Sequence, residues 1–91
     1  SSDPVNTLNR ALELKPDSLK SWLLLGEEFE RIGKIKEALE SFESAVKICP
    51  EYEIPYLRVA VLLKKLGEQS QSDWFLKKAG ELEIHYPLPS K

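Results

Sequence analysis

The chain has 91 residues, of which 42% are apolar and 31% charged, with a mean hydropathy of -0.34. That is the make-up of one small globular domain, neither disordered nor collagenous, and a domain of this size hides only about 60–65% of its unfolded surface, leaving little room for a catalytic interior. The balance of 13 Lys+Arg against 15 Asp+Glu gives a net charge of -2, which supplies no basic footprint for nucleic acid.

Five helices are predicted in chain order. Asp3-Pro4 is a good N-cap and first-turn pair, opening a helix to about Leu14. Asp17 or Ser18 can cap the next helix, Leu19 to Arg31, in which Trp22, Leu25, Gly26, Phe29 and Ile32 form one stripe at steps of three and four. Gly33 suits the left-handed residue that ends it. A third helix is expected from about Lys36 to Ile48, with Leu39, Phe42, Ala45, Val46 and Ile48 turned inward and Pro50 as its stop. The fourth begins near Glu53, tolerates Pro55 in its first turn, and breaks at Gly67. The fifth resumes near Ser70, with Asp73 three residues later as a capping box. Ile84 to Lys91 carries two prolines and is expected to be irregular.

A shift of the chain by 34 residues lays like on like. Trp22 meets Tyr56, Leu25 meets Val59, Gly26 meets Ala60, Phe29 meets Leu63, and Ile32-Gly33 meets Leu66-Gly67. Leu8, Phe42 and Leu76 coincide, as do Ala11, Ala45 and Ala79, and then Leu14, Ile48 and Leu82. Pro16 superposes on Pro50, although the third member is Ile84. The chain is an internal repeat. The small residues Gly26, Ala60, Ala38 and Ala45 let paired helices approach closely, and aromatics fill the gaps.

The run Trp22-x2-Leu25-Gly26-x2-Phe29, followed by Ala38-x3-Phe42, Ala45 and Pro50, resembles the tetratricopeptide repeat. The likeness is strong over 19–52 and weaker beyond, where the second-helix alanine becomes Ser72. It implies an all-α, right-handed superhelix, a solenoid of antiparallel helix-turn-helix hairpins. Residues 1–18 would supply the second helix of a partial repeat, 19–52 a full repeat, 53–84 a second repeat, and 85–91 an irregular tail. Such units are stabilised by stacking, and about three are normally needed. With two and a half units and no methionine, the chain is expected to be part of a longer protein or to be completed by another molecule.

In such a solenoid the first helix of each hairpin lines the inner surface, where a peptide or amphipathic segment of a partner protein is held. On the first of these helices Lys20, Leu23, Glu27 and Glu30 share the displaced face; on the second, Ile54, Leu57, Val61 and Lys64 do, with Lys65 beside them. The expected groove is acidic at one end, apolar in the middle and lysine-rimmed at the other. Its reading is an apolar anchor near Leu57 and Val61 with an acidic flank of the partner beside Lys64; packing of Leu57 and Val61 against the neighbouring hairpin is the alternative. A clamp for a C-terminal carboxylate, known in some members of the family, would want lysine and asparagine where this chain has Leu23 and Glu27, with Arg58 the only nearby cation. Glu27 would repel a carboxylate.

Trp74-Phe75 stands where the earlier hairpin has Glu40-Ser41. It is a candidate capping or assembly surface at which copies could associate, unless the tail from Ile84 to Leu88 covers it. No catalytic residue, cofactor or metal is assigned: His85 is the single histidine, Cys49 the single cysteine, and Gly33 and Gly67 are solitary turn residues. A single cysteine permits a reducing, intracellular setting, and membrane insertion is not expected, since no apolar run approaches the roughly 18 residues of a span. The alternative to an adaptor is a structural solenoid segment of a larger assembly.

Overall fold

A computed structural model describes residues 3–85. Its five helices are α1 (Pro4–Leu14), α2 (Leu19–Arg31), α3 (Ile35–Ile48), α4 (Glu53–Lys65) and α5 (Gln69–His85), and no strand occurs among the described residues. Each helix packs on its neighbours in the chain. Ion pairs between α2 and α4 show that these two also lie side by side. The first helices of the two hairpins thus lie next to each other, each followed by its own partner, α3 or α5.

The helix ends follow local chemistry. Asp3 accepts from the Val5 N–H at 3.0 Å and Pro4 opens α1. Ser18, rather than Asp17, caps α2 by accepting from the Ser21 N–H at 3.2 Å. Gly33 and Gly67 have φ of 83° and 82°, where a Cβ would be strained. Around each, the same pair of bonds closes the helix: Lys34 N–H to the Phe29 carbonyl and Gly33 N–H to Glu30, then Glu68 N–H to Leu63 and Gly67 N–H to Lys64. These are the two bonds of a Schellman turn.

The repeat is legible in tertiary detail. The Trp22 Nε1–H donates to the Pro16 carbonyl at 2.8 Å, and 34 residues on the Tyr56 hydroxyl donates to the Pro50 carbonyl, also at 2.8 Å. Both aromatics thereby tie the first turn of a hairpin to the end of the preceding helix. Ala38, Phe42, Val59, Leu62 and Leu63 form the core where α2, α3 and α4 meet. A Cβ at Gly26 would stand 2.7 to 2.8 Å from the Phe42 ring, so the ring lies directly on the glycine. The second hairpin achieves its contact differently. Ser72, 1% exposed, donates its hydroxyl to the Ala60 carbonyl at 2.8 Å.

Several expectations need correction. Ile32 is 46% exposed, not part of the buried stripe, because it sits at the C-cap where the chain turns away. Helix α3 starts at Ile35 without a side-chain cap. Helix α5 starts at Gln69, so Ser70 lies inside its first turn; Asp73 instead accepts from the Gln69 amide at 2.8 Å. The same helix runs through Ile84 and His85, two residues into the expected irregular tail. Residues 86–91 lie outside the described part of the chain.

Candidate functional site

The expected inner surface is formed by α2 and α4. Leu57 and Val61 are 37% and 48% exposed, while Pro55, Tyr56, Val59, Ala60, Leu62 and Leu63 of the same helix are buried. Helix α4 is apolar nearly all round, yet only part of it is covered. Beside it, α2 presents Lys20 and Glu27 to solvent, with Leu23 and Glu30 half-buried; Ile54 is half-buried at the start of α4.

The charges are not arranged as free rims. Arg58 Nη2 lies 3.8 Å from Glu27 Oε2, and Lys65 Nζ lies 3.6 Å from Glu30 Oε2. Both pairs cross from α4 to α2. Lys65, one of the two lysines expected at the lysine-rimmed end, and Arg58 therefore face the chain's own carboxylates. At these exposures each pair contributes about 0–1 kcal/mol. Lys64 remains exposed, without an ion pair among the described residues.

A cavity of about 660 Å³ opens at the N-terminal end of this surface. Leu19, Leu23 and Leu24 of α2 line it, together with Cys49 and Tyr52 of the α3–α4 connection. Glu27, Glu51, Glu53 and Lys20 stand around it. The sequence reading missed the contributions of Leu24, Cys49 and Tyr52. One signal for Tyr52 was available: it occupies the N-cap position of α4 but makes no capping bond, whereas Ser18, 34 residues earlier, does. An N-cap of the Ser or Asp type is worth about 1 kcal/mol, so an aromatic there is locally unfavourable.

Burial, and then the charges of Glu51 and Cys49, raise the Tyr56 hydroxyl above its ordinary pKa. Its role is the bond to Pro50, with the phenol held neutral.

Trp74 is 57% exposed and meets Phe75 edge-on, with ring centroids 5.0 Å apart. Phe75 is half-buried, packs against the core and lies 6.1 Å from the Tyr56 ring, so it is not simply an end-surface residue. Leu76, the repeat partner of Phe42, is 45% exposed. Among the described residues no group of three His, Cys, Asp or Glu side chains is placed to hold a metal ion. No described helix is long and apolar enough to cross a membrane.

Comparison with known proteins fits this geometry. Residues 19–52 match the tetratricopeptide repeat family model, whose repeats are generally protein–protein interaction modules. A TPR repeat-containing protein of Methanocaldococcus jannaschii is 36% identical over 50 residues, covering 55% of this chain and 15% of that protein. Superkiller protein 3 of Saccharomyces cerevisiae is 27% identical over 77 residues, covering 85% of this chain and 5% of that protein. The chain thus spans a small part of these curated relatives. Among solved structures, a crystal structure of MamA superposes with a TM-score of 0.89 at 23% identity, covering 90% of this chain and 48% of that one. MamA residues 41 to the end from Desulfovibrio magneticus RS-1 superposes at 0.88 with 17% identity, covering 92% and 48%. These two likenesses establish the shared fold.

Proposed function

We propose that this chain, which carries a tetratricopeptide repeat over residues 19–52, is a binding module that holds a peptide or amphipathic segment of a partner protein against α2 and α4. The observation that carries this reading is the exposure of Leu57 and Val61, 37% and 48%, beside the polar face of α2. Had these side chains served only to pack the hairpins together, they would be covered within the chain. A partner's apolar side chains buried there would supply affinity, and the charges of Lys20, Glu27, Glu30 and Lys64 would set orientation.

The test is selection of binding peptides from a displayed library, followed by amide chemical-shift mapping on the folded chain. Shifts concentrated on α2 and α4, lost in Leu57→Glu while the melting curve is kept, support the reading. Shifts on α1, α3 or α5 instead, or a Leu57→Glu variant that unfolds, overturn it.

A second reading draws on α5. Leu76, the repeat equivalent of the buried Phe42, leaves apolar surface where a further hairpin would stack, and Trp74 exposes more apolar surface on the same helix, which suits a structural segment that associates through its end. Sedimentation of the parent and of Trp74→Ala with Leu76→Ala separates the two, since identical association states exclude the end-to-end version.

A further inference from the structure

We infer that the cavity at the N-terminal end of the groove selects a partner segment in which an apolar anchor is flanked by lysine or arginine. This rests on the reading of the α2–α4 surface as a partner site and adds the chemistry of the partner. The cavity, about 660 Å³, falls within the roughly 300–1,000 Å³ of ligand pockets. Leu19, Leu23 and Leu24 give it an apolar wall suited to one or two aliphatic or aromatic side chains.

Its charged lining is one-sided. Three carboxylates, Glu27, Glu51 and Glu53, stand against the single ammonium of Lys20. Among the described residues no cation lies within ion-pair distance of Glu51 or Glu53, and the one partner of Glu27 is Arg58 at 3.8 Å. Glu53 is in the first turn of α4, where the helix dipole favours an acid in any case. Glu51 precedes the helix and Glu27 lies within α2, so that account does not cover them. An acidic segment brought to this mouth meets like charge, which disfavours it, whereas lysine or arginine beside the anchor complements the carboxylates. Tyr52 adds to the lining: it takes the N-cap position of α4 without a capping side-chain bond, as Lys34 does at α3, and is half-buried.

The probes are two fluorescent peptides sharing one leucine–phenylalanine anchor, flanked by lysine and arginine in one and by glutamate in the other. Anisotropy reads their affinities, and the alkylation rate of Cys49, which lines the cavity, reports occupancy. The basic peptide is expected to bind about tenfold more tightly at ~50 mM salt, with the difference shrinking at ~300 mM as screening shortens the reach of the carboxylates. It is also expected to slow Cys49 alkylation, and Glu27→Lys with Glu51→Lys is expected to reverse the preference. Equal affinities, both abolished by Leu57→Glu, overturn the charge selection and leave the groove reading standing. Tighter binding of the acidic peptide, or basic-peptide binding without protection of Cys49, overturns the inference. Failure of both peptides to bind overturns it together with the α2–α4 site for such anchors. Melting curves of the charge-reversed variant confirm that it is folded.

Discussion

The hairpins α2–α3 and α4–α5 share one backbone plan and fill it with different chemistry. Both end their first helix on a glycine at φ near 83°, and both tie an aromatic to a proline carbonyl six residues earlier. At the crossing of the helices they diverge. The first hairpin lays the Phe42 ring on Gly26, and the second bonds Ser72 to the Ala60 carbonyl. What the repeat requires is a close approach, and either a missing Cβ or a short hydrogen-bonding side chain supplies it. The equivalent residues Phe42 and Leu76 then differ completely in burial, 0% against 45% exposed, because α4 covers the first and no described helix follows α5 to cover the second.

The largest expected contrast lies in that last pair. Phe42→Ala should cost about 3–5 kcal/mol and Leu76→Ala under about 1, measured by urea unfolding. Equal losses would mean that α5 is covered in solution. Glycines give the next. Gly26→Val forces methyls into the Phe42 ring and should destabilise by about 1–3 kcal/mol or more. Gly80, with nothing within 4 Å of a Cβ, lies inside α5, so Gly80→Ala should stabilise by about 1 kcal/mol through helix propensity.

The two aromatic ties differ in their response to pH. Removing either donor, Tyr56→Phe or Trp22→Phe, should cost about 1 kcal/mol at neutral pH. Only Tyr56 titrates. Its folded pKa is raised, by burial first, while the unfolded tyrosine ionises near about pH 10. The unfolded chain therefore sheds that proton first, so the contribution is fully present below about pH 10 and falls as pH rises beyond it. Tyr56→Phe should remove this part of the alkaline decline, and Trp22→Phe should keep it. The smallest effect concerns the pair between the hairpins. A double-mutant cycle on Glu27 and Arg58, both side chains about half exposed, should return a coupling of no more than about 0.5 kcal/mol, declining with salt.

Much of the candidate site was legible before the fold, though unevenly. Leu57, Val61, Glu27 and Lys64 could be placed on one surface because a helix turns 100° per residue and a 34-residue period aligns one hairpin with the next. The pairing of Lys65 with Glu30 could not be foreseen, since it depends on the distance between two helices rather than on spacing within either. The same holds for Leu24 and Cys49, which line one cavity from segments more than twenty residues apart.

The sequence by itself determined the number of helices, their close-approach positions and their glycine turns, because hydrophobic period, caps and positive φ are demands felt within a few residues. Tertiary structure alone decided which apolar side chains stay uncovered, where Ser72 finds its acceptor, and which charges face one another. Those outcomes depend on how closely the helices settle against each other, and that separation is set jointly by all the side chains between them.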